Sequence, residues 1–99
     1  MRADYDSEAN ALSIDLLKVD RWDDSRDIDE TYCHVAMRRG RPTNVELLSP
    51  SEHLDLLEVA AHRLGLDGEA LLAAARAALA APDRPVVVDV GPNSASAAA

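Results

Sequence analysis

Tyr5-Asp6-Ser7-Glu8-Ala9-Asn10-Ala11-Leu12-Ser13-Ile14 places a polar turn and the start of a strand within ten residues. Asp, Ser and Asn suit a chain reversal because their short side chains bond nearby amides and tolerate left-handed backbone. From Ala11 to Leu17 the residues alternate, with Leu12, Ile14 and Leu16 set against Ala11, Ser13 and Asp15. That is the period of a half-buried strand. Ala3 to Asp6, before the turn, is a short extended piece.

Thr31 to Arg38 alternates again, with Cys33, Val35 and Met37 on one side and Tyr32, His34, Ala36 and Arg38 on the other. Arg39-Gly40-Arg41 then turns the chain into a strand that ends near Leu48. A three-residue loop with Gly40 left-handed, or a five-residue loop of the same parity, sets Arg38 opposite Pro42, Val35 opposite Val45 and Cys33 opposite Leu47. A two-residue loop would set Val35 opposite Asn44 and break the facial match. Between the strand pairs, Lys18 to Glu30 shows no period and reads as a charged, solvated connector interrupted by Val19, Trp22 and Ile28.

Ser49-Pro50-Ser51-Glu52 has the pattern of a helix start: a capping hydroxyl, a proline suited to the first position and the acid of a capping box. The helix is expected from Pro50 to Leu64, apolar at Leu54, Leu57, Ala61 and Leu64, with Gly65 as its left-handed stop. Asp67 caps a second helix through Ala81, ended by Pro82, with Leu71, Leu72, Ala75 and Leu79 on its apolar side. Arg84 to Val90 is a last strand, with Val86, Val88 and Val90 on one face, able to pair with its own sheet or with that of a second subunit. Strands followed by helices point to an α+β fold: an antiparallel β-meander of about four strands, two helices and a final short C-terminal strand, in one domain over residues 1–90. Residues 91–99 have nothing to bury and are expected as a disordered tail.

The chain has 99 residues, 47% hydrophobic and 28% charged, with one tryptophan and no phenylalanine. A core of Leu, Val and Ala is thin, so burial against a second copy is expected. The formal charge is −8 and uneven. Residues 1–30 carry ten acids against four bases, residues 31–41 three arginines and no acid, and the remainder eight acids against three bases. Phosphate backbones and anionic lipid repel such a chain, so neither nucleic acid nor membrane is an expected partner. A basic protein partner suits the charge better. No basic segment followed by an apolar run opens the sequence, and no apolar stretch is long enough to span a bilayer, so a cytoplasmic location is expected. Cys33 stands alone, which excludes a disulfide within the chain and a cysteine-rich metal site.

Few groups could carry chemistry. Asp4, Asp6, Glu8 and Asn10 would cluster oxygen donors of the kind a hard cation takes, but turn chemistry alone selects the same residues. The acids of the connector lack the spacing and glycine of a calcium loop. Neither a metal nor another cofactor is expected. Trp22 is either folded back onto the core, the favoured reading, or presented as an interface anchor. In the register above His34 faces Glu46, with Tyr32 and Arg38 on the same side, which is the best proton-transfer group on the chain. A cross-strand ion pair that stabilises the sheet explains the same residues. Cys33 points away from His34 and is expected to be a buried, inert thiol, and His53 and His62 are on opposite sides of the first helix.

Tyr5-Asp6-x-Glu8-Ala9-Asn10-Ala11-Leu12-Ser13-Ile14, followed later by Val45-Glu46-Leu47-Leu48-Ser49, resembles the small bacterial family called domain of unknown function 2283. That family typically opens with Tyr-Asp, a Glu two residues on, an Asp two beyond it and Leu-Tyr-Ile, and its last strand commonly ends Ile-Glu-Ile-Leu. The likeness covers residues 4 to about 52. Asn10 stands where an acid is usual and Ser13 where an aromatic is usual. The resemblance implies a compact β-meander entering a helix, no established activity, and company with toxin-like partners. The expectation that follows is a non-catalytic interaction domain that homo-oligomerises, in which Tyr5, Asp6, Glu8, Trp22, Tyr32 and Arg38 are the candidate binding residues. A small enzyme or ligand-binding protein using His34, Glu46, Tyr32 and Arg38 is the alternative.

Overall fold

The computed structural model describes residues 1–88. They form one six-stranded antiparallel sheet with two helices against one face: β1 (Arg2–Asp6), β2 (Ala11–Asp15), β3 (Asp24–Asp29), β4 (Cys33–Arg38), β5 (Arg41–Leu48), α1 (Asp55–Leu64), α2 (Gly68–Ala80) and β6 (Pro85–Val87). The α+β class is as expected, but the four-strand meander is not. The strand order is β3-β4-β5-β2-β1-β6, so the last strand joins the sheet beside β1 and the connector contributes a strand of its own. The expectations for Val90 and for a tail over residues 91–99 lie outside the described residues.

β3 reads Asp-Ser-Arg-Asp-Ile-Asp and is mostly exposed. An edge strand has one neighbour and little apolar surface to bury, so it lacks the alternation that marks a strand in sequence, and its charges blunt the free edge.

The β4–β5 hairpin differs from expectation in its turn and agrees in its register. Arg38 pairs with Arg41 across the two residues Arg39 and Gly40, whose φ values of 51° and 77° are both positive, as the twist of a tight hairpin requires. The register then shifts between Ala36 and Met37, where Thr43 is the extra residue of a bulge, and Val35 faces Val45, His34 faces Glu46 and Cys33 faces Leu47. A one-residue error would expose every inward side chain, so the bulge restores the parity that the short turn would have broken. Thr43 is buried with its hydroxyl donating to the Ala36 carbonyl at 3.0 Å.

The first helix also starts differently. Pro50–Glu52 is a single 3-10 turn, and α1 begins at Asp55. Ser49 has φ 46° and makes no side-chain cap, so no capping box forms. His53 therefore lies outside α1, and of the two histidines only His62 is on that helix. Gly65 does stop α1 in the left-handed region, and the Asp67 carboxylate does cap α2, accepting from the Ala70 amide at 3.1 Å.

Leu12, Ile14, Cys33, Val35, Val45 and Leu47 form the inner face of the sheet, covered by Leu57 and Ala61 of α1 and by Leu71, Ala74, Ala75 and Ala78 of α2. Fully burying a leucine or valine contributes about 1.5–3 kcal/mol, so these side chains carry the fold. In α2 the buried stripe is mostly alanine, with Leu72 and Leu79 only half-buried. Short side chains let that helix lie close to β1 and β2.

Candidate functional site

The helices leave the other face of the sheet open. Antiparallel partners share a face, so the open side carries Asp27, His34, Glu46, Ser13 and Asp4 in one row across β3, β4, β5, β2 and β1. Beside it runs a second row, Ser25, Ala36, Asn44, Asp15, Arg2 and Val87.

His34 is the centre of the first row. Its Nε2 lies 3.0 Å from the Glu30 carbonyl and 3.7 Å from Asp27 Oδ1, and its Nδ1 lies 3.6 Å from Glu46 Oε1. A neutral ring with its proton on Nε2 would turn a lone pair toward the Glu46 carboxylate, so the surroundings favour the imidazolium. The Glu30 carbonyl raises the His34 pKa above the ordinary histidine value; burial opposes it, and the carboxylates of Asp27 and Glu46 add to the rise. Both nitrogens are engaged by the protein itself, which suits a staple between β3, β4 and β5 better than a base waiting for a substrate.

The other residues expected with His34 have separate company. The Tyr32 ring stacks on His53 at 3.8 Å between centroids, 19° from parallel, and His53 Nδ1 lies 3.0 Å from the Ser49 carbonyl. Arg38 pairs with Asp23 at 3.5 Å at the opposite end of β4. Cys33 is buried on the inner face, and burial, with the negative charge of Asp29, pushes its thiol up to about 11. It is an inert group at neutral pH.

Around the opening turn the acids build structure. Asp6 accepts from the amides of Glu8 and Ala9, and the Tyr5 hydroxyl donates to Asn10 Oδ1 at 2.7 Å. Asn10 has φ 52°, a conformation asparagine tolerates better than most residues. The Glu8 side chain is exposed. Among the described residues no group of three or more His, Cys, Asp or Glu side chains is placed to hold a metal.

Trp22 does not fold back onto the core: it is 61% exposed, and with Val19 and Val87 it makes up the exposed large hydrophobics of the described residues. It stands over a cleft of about 680 Å³ that opens on the second row, with Ala36 and Asn44 in its lining. The connector is pinned on both sides of this cleft. The Leu16 and Leu17 amides donate to the Thr43 carbonyl at 2.8 and 3.2 Å, and the Asp23 amide donates to the Met37 carbonyl at 2.9 Å. The Asp23 carboxylate further accepts from the Arg39 amide. Sequence reasoning missed Arg2, Lys18, Arg21, Ala36 and Asn44 as cleft residues. The one available signal was a lone indole between Arg21 and Asp23 in a connector without period.

No protein-family profile matches the chain, and neither curated proteins nor solved structures provide a relative. No helix among the described residues is long and apolar enough to cross a membrane.

Proposed function

We propose that this chain is a non-catalytic interaction domain of the domain-of-unknown-function-2283 kind, which forms a homodimer through the open face of its sheet. The observation that carries this reading is the uneven charge of that face. Arg39 and Arg41 cluster at the β4–β5 turn beside Arg38, which Asp23 pairs, and Asp4, Asp6, Glu8, Asp27, Glu30 and Glu46 lie toward the other end of the strands. Two copies packed face to face with strands reversed would set each basic end against an acidic one, in a self-complementary contact. The acidic end alone suits a basic, toxin-like protein, which is the second reading. The engaged nitrogens of His34 count against an enzyme.

Sedimentation velocity at micromolar protein tests the dimer. The wild type should sediment as a dimer that weakens with salt. The pair Arg39→Glu/Arg41→Glu should be monomeric, as should Glu8→Lys/Glu30→Lys, and mixing the two should restore a dimer. A wild type that stays monomeric at low salt would sink the reading, and a stable complex with a basic partner would then favour the second.

A further inference from the structure

We propose that the cleft beneath Trp22 is a binding site for a small planar aromatic anion, which stacks on the indole and places its carboxylate or phosphate among Arg2, Lys18 and Arg21. The volume of about 680 Å³ falls within the range of small-molecule sites, about 300–1,000 Å³.

Three independent features point to this ligand. The first is the indole. The chain has one tryptophan and no phenylalanine, yet this largest of its apolar side chains is left 61% exposed instead of filling a thin core. Covering a flat ring with another ring recovers contact area and adds about 0.5–1.5 kcal/mol beyond area alone.

The second is charge. In a chain of net charge −8, three cations line one concavity, and none of Arg2, Lys18 and Arg21 makes an ion pair among the described residues. Two acids share the lining, Asp15 and Asp20, so the cations exceed them by one, and Asp15 is engaged: its carboxylate accepts from the Asn44 side-chain amide at 2.7 Å. Asn44 Nδ2 is also held by Ser13 Oγ at 2.7 Å, which fixes the polar part of the floor.

The third is shape. Ala36 presents only a methyl group where its strand neighbours His34 and Arg38 present long side chains, and this leaves room for a ring. The connector keeps that room open because its pins lie at Leu16–Leu17 and Asp23, with no backbone hydrogen bond from residues 18–22 among the described residues. The site needs no second subunit, but it opens on the sheet face that the proposed dimer buries, so ligand and second copy should compete for it.

Because Trp22 is the sole tryptophan, its fluorescence reports on this cleft alone. Benzoate and adenosine 5′-monophosphate are titrated against the full chain, beside the uncharged benzyl alcohol and adenosine, with calorimetry as a second readout. The charged compound of at least one pair should change the emission saturably and bind about tenfold tighter than its neutral counterpart, the difference of one charge-assisted contact. Whichever acid binds tighter assigns the anion as carboxylate or phosphate. Ala36→Leu, which fills the floor, should abolish binding, and Arg21→Glu should weaken it by about tenfold or more. Both variants should keep the wild-type circular dichroism spectrum and melting cooperativity. In the same titration Glu8→Lys/Glu30→Lys, whose changes lie toward the other end of the strands from the cleft, should bind at least as tightly as the wild type, and more tightly where the wild type dimerises. The absence of saturable binding by either acid, equal binding of the neutral compounds, or retained affinity in Ala36→Leu would each overturn the proposal.

Discussion

His34 links local electrostatics to the stability of the sheet edge. Its pKa is raised, so the sign is that of a group bound more tightly as a cation in the folded state. The stabilisation is complete below the unfolded value of about 6.5 and is lost as pH rises through the higher folded value. Following the ring proton by NMR should give a pKa above the ordinary histidine value of about 6.5, and Glu46→Gln should bring it down. The melting temperature gap between wild type and His34→Gln should shrink as pH rises across the same window. An unshifted titration in the wild type would remove the staple between β3, β4 and β5. The pairing of His34 with Glu46 was legible in the sequence because inward Val35 and Val45 dictate what faces what on the outer side. Asp27 was not, since it joins the pair only by way of β3, a strand whose six residues bury too little to leave a pattern.

The two helix starts separate chemistry from resemblance to a motif. Asp67 caps α2 with extended backbone and a bonded carboxylate, whereas Ser49 sits at φ 46° with no cap. Asp67→Ala should therefore cost about 1 kcal/mol in urea unfolding. Ser49→Gly should be neutral or stabilising by up to about 1 kcal/mol, because glycine adopts that φ without strain. A loss on Ser49→Gly equal to that of Asp67→Ala would restore the capping role. The same contrast explains which elements could be read in advance. Alternating strands and the Gly65 stop are written in local residues. The Thr43 bulge is not, because Arg39-Gly40-Arg41 accommodates several loop lengths and burial farther along β5 chooses among them. The cleft was illegible for a related reason: it exists because the bulge carbonyl holds the amides of Leu16 and Leu17, a contact between residues more than twenty apart.

Asp83 ties the opening turn to the approach of β6. Its carboxylate accepts from the Ser7 amide at 2.8 Å and the Ser7 hydroxyl at 2.6 Å, and these bonds lower its pKa. A depressed carboxylate contributes stability that is present above its unfolded value, about 3.9, and lost as pH falls through the folded one. Asp83→Asn keeps a residue tolerant of the local φ of 65° and removes only the charge. The variant should have a lower urea midpoint than wild type at neutral pH, and the difference should close in acid. A gap that persists unchanged in acid would mean that the charge is irrelevant. The order β3-β4-β5-β2-β1-β6 also has a bearing on how the chain is made. A ribosome releases β1 early, yet its outer edge finds its partners only when the Asp83 amide reaches the Tyr5 carbonyl and the Val88 amide reaches the Met1 carbonyl. Until then the nascent chain carries an unpaired strand edge that could template another nascent chain, so closure by the last strand is the slow, non-local step that ends this exposure.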